Sequence, residues 1–285
     1  MIKHTVTVVV LILLLFTSIQ AAVARSHKRP AHLPAMKGLD YYKHPRAHVQ
    51  NPLDGFYLGA SVGIATGDGE NHTMAEVDLA SVAERDEVIN NNLNEELHPV
   101  FGLDFGWGYV VHKYFYAGFE VFSDFRRQRS QGTFDLQQQD AAGLDFQIKN
   151  AVTLQTTGLE YGVRLRPGYL FARKTMMYLV VGWIRTRFSI SSITDYFARV
   201  TADSGSAIVQ ASRGTSGIEV GFGIEHAFTQ SISLRAQYLY TGYSTIRLEG
   251  RGNIVGAQAQ DDVINITNLT PRKQSIVVSV NFHFA

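Results

Sequence analysis

The chain has 285 residues, no cysteine, and 26 Lys and Arg against 25 Asp and Glu. Without thiols there is neither a disulfide framework nor cysteine chemistry. A near-neutral balance excludes a general nucleic-acid binder, whose affinity needs concentrated positive charge.

Lys3 and His4 precede an apolar run, Val6 to Phe16 (VTVVVLILLLF), and Ala22-Val23-Ala24 fits the small-x-small cleavage rule. Residues 1–24 therefore read as a secretory signal peptide. The run is well short of the ~20 residues that a membrane-spanning helix needs. Residues 25–54 hold four of the seven prolines and a basic excess, and read as a disordered periplasmic leader. His27, His32, His44 and His48 in this segment follow no metal-ligand spacing, and proline between them opposes a helix that would align them. No metal or cofactor site is expected.

From Gly55 the pattern changes to period-two alternation, the mark of strands. GFYLGASVGIAT (55–66) sets Phe56, Leu58, Ala60, Val62 and Ile64 on one face. In FGLDFGWGYVV (101–111), Phe101, Leu103, Phe105, Trp107 and Tyr109 alternate with Gly102, Asp104, Gly106 and Gly108. Similar segments follow at 114–125, 157–171, 176–188, 216–228, 231–243 and 274–284; that at 176–188 is apolar on both faces. Short connections near His112, Arg173 and Gln230 alternate with long ones, over 67–98, 126–156, 189–215 and 244–273. Short turns on one side and long loops on the other are the pattern of outer-membrane barrels. The expectation is an all-β, eight-stranded antiparallel transmembrane β-barrel, an up-and-down meander over 55–285, with both termini periplasmic and four long extracellular loops.

The minor face decides between this barrel and a soluble sandwich. Gly weakens a strand without packing anything, so a solvated face would carry Lys, Thr and Gln instead. The interior of an eight-stranded barrel is just wide enough for side chains to fill. Gly and a few charges fit there; five large side chains per strand do not. The aromatic face therefore looks outward, where lipid requires it and water would make it an aggregation liability. Trp107, Tyr109, Tyr114 and Phe115 lie beside a short turn, where an interfacial aromatic girdle belongs.

Gly55-Phe56-Tyr57-Leu58-Gly59-Ala60, the Glu- and Arg-bearing minor face and the closing VVSVNFHF resemble the OmpA-like and opacity-protein family of eight-stranded outer-membrane barrels. The resemblance covers about residues 55–285. It implies a Gram-negative cell-surface protein and a C-terminal aromatic signal for the barrel-assembly machinery. Val280, Phe282 and Phe284 match that signal, although Ala285 follows where the family ends on the aromatic.

Asp104, Glu120, Glu160, Arg164, Glu219, Glu225 and Arg235 fall on the minor face and form a proposed charge network in the lumen. Counting from the turns, Glu225 faces Arg235 around Gln230, and Asp104 opposes Glu120 around His112. Arg164 or Arg166 is the natural neutraliser of that carboxylate pair. The network reads as interior filling, with a gated ion path as the alternative.

No Ser-His-acid arrangement on the outer wall is legible: His283 has Ser279 two positions back, but on the lumen face. The expected role is a non-enzymatic surface barrel, structural and/or adhesive, making host contact through its loops. Outer-membrane lipid, lipopolysaccharide and a host or surface ligand are the expected partners. Arg126, Arg127 and Arg129 stand where lipopolysaccharide would lie. The alternatives are a narrow gated pore and a lipid-modifying enzyme.

Overall fold

The computed structural model describes residues 51–79, 82–93, 96–112, 114–139, 145–198, 204–255 and 262–284. The segments read above as signal peptide and leader lie outside them up to residue 50. Ten strands follow in order: β1 (Gly55–Leu79), β2 (Val82–Asn92), β3 (Glu96–His112), β4 (Phe115–Gln139), β5 (Asp145–Ala172), β6 (Thr175–Ala198), β7 (Ser204–Ala227), β8 (Ile232–Tyr243), β9 (Ile246–Val255) and β10 (Asp262–Phe284).

They fill eight positions around a closed ring. The antiparallel order β1-β3-β4-β5-β6-β7-β8-β10 closes when β10 pairs with β1, Phe56 opposite Phe284. β2 is the continuation of β3, because β1 pairs with β3 through Gly67 and with β2 from Glu70 onward. β9 continues β8 in the same way along β10. Closure of these eight strands leaves the lower wall without a sheet edge, which is what allows strands to lie in hydrocarbon; above it, β2 pairs with β1 alone among the described residues.

The segments expected as four long loops are largely strand. β1 runs on to Leu79, β4 to Gln139, and β5 spans 28 residues, against the ~9–11 needed to cross a bilayer. The reason lies in the side chains. Near the short turns, the outward residues are apolar (Phe101, Leu103, Phe105 and Trp107 all exposed) and the inward ones are Gly or charged. Higher up the wall the pattern inverts. Arg127, Arg129 and Thr133 of β4 and Arg185 and Arg187 of β6 are exposed, while Val152, Leu154, Phe188, Ile190, Val209, Leu248 and Leu269 form a buried core. Here the wall is polar outside, and its interior mixes this apolar core with buried polar side chains such as Asn71, Thr73, Ser192 and Thr267. The ambiguous segment at 176–188 resolves with Met177, Leu179, Val181 and Trp183 outward and Met176, Tyr178, Val180 and Ile184 inward.

The end carrying the short turns is closed. Residues 51–54, assigned to the leader by composition, form a turn in which Asn51 Oδ1 accepts from the Leu53 amide (3.0 Å) and Asp54 Oδ1 from the Val110 amide (2.7 Å). This drives Leu53 into a buried cluster with Tyr116, Leu170, Met176, Tyr178 and Ala227.

Candidate functional site: the barrel interior

Between the two apolar clusters, the interior holds five cationic side chains and six carboxylates, all buried: Arg126, Arg164, Arg166, Arg235 and Lys273 against Asp104, Glu120, Asp124, Glu160, Glu219 and Glu225. Strand alternation puts each on the inward face, and the glycines between them make room. A Cβ on Gly106 would strike the Tyr57 ring, and one on Gly108 the Tyr116 ring.

Glu120 is the hub. Its Oε1 takes Arg164 Nη1 (3.2 Å), and its Oε2 takes Arg235 Nη1 (2.6 Å), Arg166 Nη1 (3.4 Å) and the Tyr57 hydroxyl (2.8 Å). Arg235 also reaches Asp104 (3.3 Å) and Glu225 (3.3 Å), its cross-strand neighbour. Arg166 donates to Glu225 (2.5 Å) and stacks on Tyr178, 4.3 Å from the ring centre. Arg164 holds Glu219 (2.5 Å) and sits 3.3 Å over the Phe122 ring. One layer up, Glu160 binds Arg126 (2.9 Å), Lys273 and Tyr243. Burying so many charges is tolerable only because nearly every one meets an opposite charge and a hydrogen bond.

All seven residues of the proposed network are thus in the lumen; six are linked directly, and Glu160 joins them through Lys273, which also lies 3.9 Å from Glu219. Two details differ from the count around the turns. Asp104 pairs with Phe122 and Gly106 with Glu120, because the register shifts between Val110 and His112. Arg235, rather than Arg164, neutralises Asp104. Arg126, read as a surface residue, points inward, one strand position out of phase with Arg127 and Arg129. Arg166 entered the count only as an alternative to Arg164. Asp124, Lys273, Tyr57 and Tyr243 were missed; Asp124 and Tyr57 share the inward parity of Glu120 and Asp104, which was signal enough. Lys273 lies in a segment read as loop.

The interior also groups a hydroxyl, an imidazole and a carboxylate. Ser233 Oγ lies 2.9 Å from His283 Nε2 and donates to Glu225 Oε1 (2.5 Å); Ser279 is not the partner of His283. The carboxylate approaches the same ring nitrogen as the serine (3.5 Å), and His283 Nδ1 has no partner among the described residues. A hydrolytic triad needs the acid on the opposite ring nitrogen.

On the outer wall Trp107 stacks on Tyr109 (6.1 Å between centroids), and Tyr169 packs against Tyr114 and Phe115 (5.8 Å each), all exposed near the short turns. Val280, Phe282 and Phe284 are exposed on β10, with Phe282 edge-on to Phe284. His226 Nδ1 lies 2.8 Å from Thr175 Oγ1.

Comparison with known proteins gives three solved structures among those similar in fold. OprG from Pseudomonas aeruginosa is 13% identical, with 81% of this chain and 97% of that chain covered and a TM-score of 0.38. Neisserial surface protein A is 13% identical, with 81% and 98% covered and a TM-score of 0.31. Ail, the attachment invasion locus protein of Yersinia pestis, is 11% identical, with 78% and 99% covered and a TM-score of 0.27. Among curated protein sequences nothing matches. The family profile described as outer membrane protein beta-barrel domain matches residues 9–284, essentially the whole chain. The chain therefore belongs to the outer membrane protein β-barrel family and is an integral protein of the outer membrane.

Proposed function

We propose that this is a non-enzymatic, non-conducting surface barrel that reinforces the outer membrane and presents a stiff wall beyond it for contact with other surfaces. The observation that carries the reading is the filling of the lumen in layers. The Leu53 cluster occupies one end, the Glu120–Arg235 network the middle, and the cluster around Phe188 and Leu269, interleaved with buried polar side chains such as Thr73, Thr267 and Ser192, the rest. An eight-stranded barrel has little interior to spare, and side chains packed at each of these levels leave little room for a water-filled path.

In this reading both termini are periplasmic, since Gly55 and Phe284 lie at the end with the short turns. Trp107, Tyr109, Tyr114 and Phe115 form the periplasmic-side girdle, and Val280, Phe282 and Phe284 serve the barrel-assembly machinery. Lipid and lipopolysaccharide surround the wall. Contact with a host or surface ligand falls to the extended strands, because most of the expected loop sequence is strand. Ser233, His283 and Glu225 are enclosed and wrongly disposed for hydrolysis, which argues against catalysis in the lumen. Planar-bilayer recording tests the proposal: the expected result is a silent membrane. Discrete openings altered by Glu120→Gln or Arg164→Gln would replace it with the gated pore.

A further inference from the structure

Just above the apolar band, the outer wall of β4, β5 and β6 carries four exposed arginines: Arg127 and Arg129 on β4, Arg185 and Arg187 on β6. None forms an ion pair among the described residues, unlike Arg272, which meets Glu70 at 2.8 Å. On β6 they follow directly on the outward series Met177, Leu179, Val181 and Trp183, so they mark the upper edge of the band. Between the two strands β5 bulges, with its register against β6 shifting between Thr156 and Glu160 and Gly158 at φ 103°. Gly158 faces open space, with no atom within 4 Å of where its Cβ would be.

The next two rows up form a trough of about 410 Å³ lined by Thr153, Gln155, Ser189, Ser191, Gln210 and Ser212. Its shape follows from side-chain size. The serines of β6 make a low floor between the longer glutamines of β5 and β7, with Gln155 opposite Ser189 and Gln210 opposite Ser191. Arg129 is the cross-strand neighbour of Gln155, so the trough opens beside the arginines. The lining combines these hydroxyls and amides with the apolar Ile190 and Ala211, a mixture that suits the polar rim and apolar faces of a sugar ring, and holds no carboxylate.

We propose that this face binds one lipopolysaccharide molecule of the surrounding outer leaflet, its lipid A phosphate on the arginines and its core sugars in the trough. Arginine is the side chain best matched to phosphate geometry, and hydroxyl and amide groups are what a sugar requires. Height selects this source. From Arg185 to Ser189 is four residues, about 13 Å along a strand and about 10 Å in height at a ~40° tilt. That places phosphate at the membrane boundary and sugar immediately outside it. The assignment rests on the outer-membrane reading and goes beyond it in naming the face.

The test titrates protein folded in zwitterionic detergent with labelled deep-rough lipopolysaccharide, its dephosphorylated form, full-core lipopolysaccharide and heparin. Heat-modifiable gel migration of each variant checks folding. Arg127→Gln combined with Arg187→Gln is expected to weaken binding of the phosphorylated forms about tenfold or more, with the dephosphorylated form indifferent. Ser189→Tyr, which fills the trough, is expected to weaken full-core binding more than deep-rough binding. Folded variants that bind every probe like the wild type overturn the proposal. Heparin bound as tightly as lipopolysaccharide, and lost in the same variants, reassigns the face to a soluble sulfated glycan and also overturns it. A wild-type chain that never becomes heat-modifiable fails the outer-membrane reading itself, a distinct result.

Discussion

Arg235 of β8 and Glu120 of β4 meet across the barrel interior at 2.6 Å, although 115 residues separate them in sequence. Neither is on a strand adjacent to the other, so the pair ties together opposite parts of the wall. Replacing Arg235 with Ala leaves Glu120, Glu225 and Asp104 each short of a partner in a buried site. The expected loss is ~3–5 kcal/mol, read as a lower urea midpoint for the folded, heat-modifiable form. Lys149→Ala, which removes an exposed pair with Asp135, is expected to cost less than ~1 kcal/mol, since both side chains are more than half exposed. Equal midpoints for the two variants would show that the interior pairs do not hold the barrel.

Gly106 has no substitute. Any Cβ there enters the space of the Tyr57 ring and of its hydroxyl, which donates to Glu120. Gly106→Ala is expected to destabilise by ~1–3 kcal/mol. Combining it with Tyr57→Phe, which removes the hydroxyl but keeps the equally close ring carbon, should recover little, whereas the added cost of Gly106→Ala should shrink in a Tyr57→Ala background. Recovery with Tyr57→Phe would place the effect on the hydroxyl instead.

Leu53 predicts a different behaviour. Its side chain is fully buried at the closed end, yet it precedes the first strand. Leu53→Ala is expected to lower stability by ~2–5 kcal/mol while the barrel still folds. Limited proteolysis should then cut near residues 50–54 in the variant before the wild type. Identical cleavage in both would mean that the turn does not dock.

For Phe284, the outermost aromatic of β10, the expected effect is on assembly more than on stability, because it is exposed and packs chiefly on Phe282. Phe284→Ala should lower the outer-membrane yield in cells, whereas deleting Ala285 should not. Equal yields for Phe284→Ala and wild type would remove its assembly role.

The lower wall was legible because the Phe101–Tyr109 series is pure alternation, large against Gly or Asp, and only a narrow lipid-exposed barrel reconciles the two faces. The upper wall was not. There Asn71 and Thr73 are buried, and polar residues occur both inside and out, so no amphipathic period marks the strand. The lumen pairs fared according to their turns. Glu225 and Arg235 flank a regular hairpin and could be counted, while the shift at Val110 and His112 moved Asp104 off Glu120 by two residues. Contacts between non-adjacent strands, such as Arg235 with Glu120 or Lys273 with Glu160, depend on ring closure and have no local signature.

The two tryptophans of the chain offer the most direct test of the account. Trp107 and Trp183 are both exposed on the outer wall, one beside the short turns and the other beside Arg185 at the far edge of the apolar band. In bilayers of lipids brominated on their acyl chains, both should be quenched, more strongly by bromines near the headgroup than by bromines at the chain ends. Emission that is unquenched by either lipid, as from residues facing water or a packed interior, would contradict the lipid-facing wall and everything built on it.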